Sequence, residues 1–133
     1  MLPLLKQKLL FPQEIEVWYI LPAIRKAFAL ELIKAGRPQK YIAQLMGITE
    51  AAISQYKSDK RAHIELTDEI HGLIKSSIAA ITTPEQMFAE MMKIDRQIKD
   101  SGLFCKIHRS KSPTPDGCEK MCAYGANSGG AHG

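Results

Sequence analysis

The sequence predicts an all-α fold, and three observations lead to that prediction. Apolar residues recur at steps of three or four over most of the chain, which is the period of an amphipathic helix. Proline, glycine, threonine and aspartate interrupt these runs at positions typical of helix starts and ends. No segment alternates between apolar and polar residues for long enough to predict a strand. We therefore expect about five helices in the chain of 133 residues.

The first helical region is expected from Glu14 to Ala35, after an N-terminal arm at residues 1–13. Pro22 has no N–H group, so we expect a kink there or a new helix that begins near it. Gly36 suits the left-handed backbone conformation that ends many helices. The apolar stripe of this region comprises Ile15, Trp18, Tyr19, Ile24, Ala27, Phe28 and Leu32.

Two more helices are expected between residues 67 and 102. Thr67 or Asp68 suits the cap of the first one. Thr83 and Gln86 match a capping box at the start of the second, and Gly102 ends it. The stripe of the first helix comprises Ile70, Leu73, Ile74, Ile78 and Ile81. The stripe of the second comprises Met87, Phe88, Met91, Met92, Ile94 and Ile98, and its methionines predict a core or a dimer interface.

Residues 39–58, QKYIAQLMGITEAAISQYKS, predict two helices joined at Gly47. The turn needs a positive φ there, which glycine adopts without strain. Ala43 is small where the second helix must cross closely, and Thr49 suits the N-cap of that helix. An apolar wedge that sets the angle between the helices comprises Ile42, Met46, Ile48 and Ile53. The alternative is a helical hairpin that only packs.

Residues 14–61 resemble lambda-repressor-like (XRE-type) helix-turn-helix regulators in two places. EVWYILPAIR is similar to their first segment, and residues 43–56 match the pattern A-x-x-x-G-I-T-x-A-A-I-S-Q-Y. The resemblance implies a five-helix DNA-binding domain at residues 14–103, with its helix-turn-helix at residues 38–58 and helices that dimerise. Some of these regulators also end in a short cysteine cluster.

A recognition helix at residues 49–57 would face the major groove of double-stranded DNA. Gln55 can bond an adenine edge, Ser54 can bond a base or a phosphate, and Ala51 can touch a thymine methyl group. Glu50 can accept from cytosine or complement the helix N-terminus. Basic residues at both ends of the motif predict phosphate contacts. The predicted DNA-binding residues are Arg37, Lys40, Thr49, Glu50, Ala51, Ser54, Gln55, Lys57, Lys60 and Arg61.

Cys105, Cys118 and Cys122 are the only cysteines of the chain, and His108 lies among them. Thiolates and imidazole suit an iron–sulfur cluster or zinc, and they do not suit magnesium or calcium. Three thiolates leave one iron to His108 or to an outside group, which a redox, oxygen or iron sensor can use. Four donors would also close a structural zinc site. Thiols that switch without a metal remain a third possibility.

We expect the helical pattern to fail from Lys106 onward. The cysteine-rich segment is therefore expected to be irregular over residues 104–124, and a flexible glycine-rich tail is expected over residues 125–133.

Composition limits the functional classes. The net charge of +4 fits a polyanionic partner without requiring one. No apolar run is long enough to span a membrane, which predicts a cytoplasmic protein. Nothing accompanies Cys105 and His108 to suggest a catalytic site, so we expect neither an enzyme nor a small-molecule substrate. The sequence predicts a homodimeric transcriptional regulator that senses a signal through its cysteine segment. The alternatives are the same regulator with structural zinc, or a helical protein-interaction module.

Overall fold

The structure is a computed structural model, and it describes residues 9–59 and 64–122 except for the side chain of Glu119. No strand occurs among these residues, which confirms the all-α prediction. Lys60, Arg61, most of the N-terminal arm and the predicted tail lie outside the described residues. In chain order the elements are α1 (Pro12–Ile15), a π-helical turn (Glu16–Ile20), α2 (Leu21–Lys34), α3 (Gln39–Met46), α4 (Glu50–Ser58), α5 (Asp68–Ser77), a 3₁₀ turn (Ile78–Ala80), α6 (Pro84–Asp100), α7 (Leu103–Lys111) and α8 (Cys118–Met121).

Helix α2 lies at the centre of one hydrophobic core. It contacts α3, α4, α5 and α6, and its Phe28 and Leu32 are fully buried. Ile74 of α5 and Ile98 of α6 are also fully buried. Burying large apolar side chains is the main term that stabilises such a fold, at roughly 1.5–3 kcal/mol for each one. The segment that contains α3 and α4 therefore packs directly against the central helix of the core.

The helix that contains Pro22 widens just before the proline. The N–H of Leu21 donates to the carbonyl of Glu16, five residues earlier, in a π turn. Because Pro22 has no N–H to give to the carbonyl four residues back, the regular pattern cannot run through this point. The wide turn brings Ile15 and Ile20 to the same buried face, although a regular helix would hold them about 140° apart. The predicted irregularity near Pro22 is confirmed.

Three apolar stripes are only partly buried. Trp18, expected on the inner stripe, is 52% exposed because the π turn rotates it away from the core. In α6, Met87 is buried, whereas Phe88 is 65% and Met92 is 47% exposed. Leu73 of α5 is also largely exposed. The prediction that Trp18 lies on an inner stripe is therefore wrong. For α6, the exposed Phe88 and Met92 are compatible with the dimer interface that was the alternative to a core.

The predicted helix ends agree with the structure. Gly36 and Gly102 both have positive φ, 87° and 84°. The Oγ1 of Thr67 accepts from the N–H of Ile70 at 3.2 Å. Thr83 and Gln86 form the reciprocal capping box, which satisfies N–H groups that the first turn leaves without a partner.

The predicted loss of helical structure from Lys106 onward is wrong. Helix α7 continues to Lys111 and buries Phe104 and Ile107. The turn at Gly102 redirects the chain, and the apolar spacing then resumes for one short helix. Packing against the core, and not intrinsic propensity, stabilises a helix of this length. Cys118 and its neighbours also form a short helix, α8.

One charged cluster is partly buried between α6 and the π turn. The Nζ of Lys99 lies 2.9 Å from a carboxylate oxygen of Glu16 and 2.9 Å from the Oδ2 of Asp95. The Oδ1 of Asp95 is buried without a hydrogen-bond partner. Burial raises the pKa of Asp95 to about 6, and a hydrogen bond with Glu16 adds to the rise while Lys99 opposes it. Burial lowers the pKa of Lys99, but its bonds with Asp95 and Glu16 outweigh that effect and raise it.

Candidate nucleic-acid interface and cysteine cavity

The turn between α3 and α4 has the backbone geometry that the sequence predicts. Gly47 adopts the left-handed conformation with φ 67° and ψ 33°. The N–H of Ile48 donates to the carbonyl of Ala43 at 3.1 Å, which closes the end of α3. Thr49 caps α4, since its Oγ1 accepts from the N–H of Ala52 at 3.1 Å. These contacts fix where α4 begins and how it leaves the turn.

The two helices are held together by their inner faces. Ile42 and Ile53 are fully buried, and Ala43 is only 7% exposed. Met46 and Ile48 are half-buried against the same core. Helix α4 also packs on α2, so its inner side is fixed by two neighbours. The predicted wedge is therefore present, with its two isoleucines from α3 and α4 at the centre.

The outer face of α4 is open to solvent. The exposed predicted DNA-binding side chains of this segment are Thr49, Glu50, Ala51, Ser54, Gln55 and Lys57. Ala52, between these positions, is half-buried. The exposed positions recur at steps of three and four, so they form a continuous strip along the helix. Side chains on a strip of this kind can enter a groove of another molecule.

Gln39 belongs to this surface, although the sequence analysis did not select it. The hydroxyl of Ser54 donates to the Oε1 of Gln39 at 3.4 Å, joining the outer face of α4 to the first residue of α3. Its position directly after Pro38, at a helix start, is the signal that could have identified it. The bond would orient the Ser54 hydroxyl on the open strip.

The predicted basic contacts border the same surface. Lys40 is exposed near the start of α3. The guanidinium of Arg37 lies 5.5 Å from the ring centroid of Tyr41, a cation–π contact that restricts its direction. Lys57 is exposed in the last turn of α4. Basic groups therefore stand at both ends of the motif, as phosphate contacts require.

The three cysteines line one cavity of about 300 Å³ with His108 and Arg109. Cys105 comes from α7, Cys118 is the first residue of α8, and Cys122 follows its last residue. Each cysteine is half-buried. Residues from Thr114 to Gly117 also line it. Cysteines that are 17 positions apart in sequence thus border the same cavity.

His108 is 4% exposed, and its Nε2 lies 2.7 Å from the carbonyl oxygen of Leu10. A carbonyl only accepts, so Nε2 carries a proton and Nδ1 is the nitrogen left for a metal. Histidines that bind metals usually donate their other ring N–H in this way. The N–H of Leu10 in turn donates to the Oγ of Ser112 at 3.1 Å. We call this pair of hydrogen bonds, from His108 and to Ser112, the Leu10 clasp.

The donor types around the cysteine cavity suit iron or zinc. Their separation is not that of a formed metal centre, however. Within residues 9–59 and 64–122, no three Cys, His, Asp or Glu side chains come close enough together to hold a metal ion. A metal bound by the three cysteines would therefore require their side chains to come closer together.

Comparisons with protein-family models, curated proteins and solved structures gave no match to this chain. The functional assignment therefore rests on the geometry of its own residues.

None of the helices in the described part of the chain has the length and apolar character needed to cross a membrane.

Proposed function

We propose that this protein is a sequence-specific DNA-binding transcriptional regulator of the lambda-repressor-like helix-turn-helix kind, with α4 as its recognition helix. The observation that carries the proposal is the combination of the Gly47 turn with the open outer face of α4. The Gly47 turn fixes the direction in which α4 leaves α3, and the outer face of α4 carries side chains that can hydrogen-bond base edges. The proposal includes a cytoplasmic location and no enzymatic activity.

In this mode the N-terminal part of α4 approaches the base edges of the major groove. Gln55 presents an amide that can donate and accept at adenine, and Ser54 presents a hydroxyl oriented by Gln39. Arg37, Lys40 and Lys57 would contact phosphates on either side of the groove. Lys60 and Arg61 are proposed for the same role. A homodimer would present two recognition helices roughly 34 Å apart, one turn of DNA.

The test begins with selection of a preferred duplex from a random library, followed by affinity measurements on that duplex and on a scrambled one. Gln55→Ala should lose about 1–3 kcal/mol on the selected duplex and little on the scrambled one. Gln13→Ala is the matched control, because Gln13 is an exposed glutamine on α1. Equal losses on both duplexes would show that Gln55 does not discriminate bases.

Salt dependence separates DNA binding from a protein-interaction function. Lys57→Ala should weaken binding to both duplexes and reduce the slope of log affinity against log salt by about one. If no duplex is enriched even at low salt, the DNA-binding proposal fails and the helical interaction module becomes the better assignment.

We also propose that Cys105, Cys118 and Cys122 hold an iron–sulfur cluster, with zinc as the alternative. The three thiols line one cavity, and Nδ1 of His108 is the nitrogen that remains for a fourth ligand. Lys106, Arg109 and Lys120 would offset the negative charge of thiolates. A bound cluster would supply sensitivity to redox state, oxygen or iron.

The metal proposal is tested on protein purified without oxygen. The visible spectrum and the iron, sulfide and zinc contents of the wild type are compared with those of Cys118→Ser. Stoichiometric iron and sulfide that are lost in the variant would support a cluster. One zinc per chain would support the structural alternative. Metal-free protein would overturn both assignments.

A further inference from the structure

A second cavity, of about 540 Å³, lies on the side of α4 that faces α2 and α5. Trp18 and Tyr19 of the π turn, Leu30 of α2 and Tyr56 of α4 are among the side chains that line it. A volume of this size is within the range of small-molecule sites, which are mostly apolar with a few polar groups. Neither the proposed DNA contacts nor the cysteines use this cavity.

The rings of Trp18, Tyr19 and Tyr56 line this cavity together with the imidazole of His71, and three carboxylates are among its polar groups. Asp59, Glu65 and Asp68 contribute carboxylates, whereas Lys26 is the only lysine or arginine among the described lining residues. The Nζ of Lys26 donates to the main-chain oxygen of Asp59 at 2.7 Å, so that cation is engaged at the end of α4. Among the described lining residues, carboxylates therefore outnumber lysine and arginine. Aromatic faces and carboxylates both attract a cation.

The π turn accounts for the aromatic wall. Trp18 is 52% exposed, although an indole ring carries a large apolar surface that water solvates poorly. The wide turn that buries Ile15 and Ile20 together is what directs Trp18 outward, towards the cavity. π turns are frequently found at functional sites.

We propose that this cavity binds a small amphipathic organic cation. Its apolar part would lie against Trp18 and Tyr56, since the Nζ of Lys111 already lies 4.8 Å from the centroid of the Tyr19 ring. Its ammonium group would face the carboxylates of Glu65 and Asp68. Tyr56 and Asp59 belong to the end of the recognition helix, so occupation of the cavity would alter the position of α4. That regulatory consequence rests on the proposed DNA-binding function, but binding of the cation does not.

The binding test uses intrinsic fluorescence, because Trp18 is the single tryptophan of the chain and lines the cavity. The full chain is titrated with phenethylammonium, phenethyl alcohol and phenylacetate, which share a ring and differ in charge. Phenethylammonium should bind about three- to tenfold more tightly than the alcohol, and phenylacetate should bind most weakly. Equal affinities for the three probes would overturn the assignment of a cation. A failure to detect DNA binding would leave this result unaffected.

Two pairs of variants locate the site. Ala23→Phe places a ring in the cavity and should abolish the fluorescence response, whereas Ala89→Phe introduces the same ring on the exposed face of α6 and should not. Glu65→Gln should reduce the preference for the cation over the alcohol, and Glu69→Gln, an exposed position outside the lining, should retain it. Unchanged binding by Ala23→Phe would show that the probes bind elsewhere and would overturn the site.

Discussion

The turn between α3 and α4 depends on the backbone of one residue. Gly47 has φ 67°, and no heavy atom lies within 4 Å of the position that a Cβ would occupy. Gly47→Ala should therefore lower the free energy of unfolding by about 1–2 kcal/mol through backbone strain alone. Gly47→Val should lower it further, since a β-branched side chain tolerates this conformation poorly. Urea denaturation measures both values.

Gly72 supplies the matched control for that substitution. It lies inside α5 and is exposed, and a Cβ at this position would also have no heavy atom within 4 Å, but its φ is not positive. Gly72→Ala should raise the free energy of unfolding by about 0.5–1 kcal/mol, because alanine favours a helix interior. Destabilisation by both substitutions would remove the argument from backbone strain at Gly47.

Asp95 makes stability depend on pH in an unusual direction for a carboxylate. Its pKa is raised from 3.8 to about 6, so its protonated form is favoured by folding. Its stabilising contribution is fully present below about pH 4 and is lost as the pH rises through about 6. Asp95→Asn should therefore gain stability relative to the wild type as the pH increases from 4 to 7. Urea denaturation at intervals of one pH unit measures this difference.

Asp100→Asn is the control, because Asp100 is an exposed carboxylate on the same helix. Its pH profile should follow that of the wild type. If Asp95→Asn also follows the wild-type profile, the carboxyl group of Asp95 is not the source of the pH dependence.

At the scale of elements, the C-terminal end of α7 is hydrogen-bonded to the chain just before α1. In the Leu10 clasp, Leu10 lies just before α1 and is hydrogen-bonded to His108 and Ser112 at the C-terminal end of α7. Both of these side chains are buried. Because buried polar groups cost free energy when they lose their partners, the clasp stabilises the packing of α1 against α7.

Ser112→Ala should lower the free energy of unfolding by about 1 kcal/mol and accelerate hydrogen exchange at the Leu10 amide. The Oγ that now accepts from that amide is absent in the variant. Ser110→Ala is the control, since the Ser110 hydroxyl bonds only locally, to the carbonyl of Ile107 at 2.7 Å. Leu10 exchange that is equally slow in both variants would argue against the clasp.

Sequence reasoning succeeded for features that depend on a few neighbouring residues. The positive φ of Gly36 and Gly47 and the caps at Thr67 and Thr83 follow from local chemistry. It failed for α7, whose helix depends on core packing. It also missed the bond of His108 to Leu10, because the partner is 98 residues away in sequence. The sequence did not predict that Trp18 points outward, because the period of 3.6 residues per turn of a regular helix does not apply within a π turn.

At the scale of the whole molecule, several large apolar side chains of the described residues remain exposed outside the core. Phe88 and Met92 lie one turn apart on α6, and Val17 is 58% exposed on the π turn. All three residues lie within residues 14–103, for which the resemblance implies helices that dimerise. Carboxylates line the cavity behind α4, whereas Arg37, Lys40 and Lys57 border its outer face.

We expect the protein to sediment as a homodimer at micromolar concentration. A charge placed within a buried interface is strongly destabilising, so Phe88→Glu should yield monomers if α6 forms the interface. Val17→Glu should do so if the N-terminal segment forms it, and each variant is the control for the other. A wild-type chain that sediments as a monomer, alone and on DNA, would contradict the homodimer.

The π turn also has a consequence for how the length of this chain can change during evolution. Deleting one residue from a regular helix rotates everything on one side of the deletion by about 100° and exchanges buried for exposed positions. Within Glu16–Ile20 the helix already contains one residue more than a regular turn. A deletion there would convert the five-residue spacing of Ile15 and Ile20 to four and keep both in the core. Related chains that lack one residue at this position would retain the fold but lose the aromatic wall that Trp18 provides.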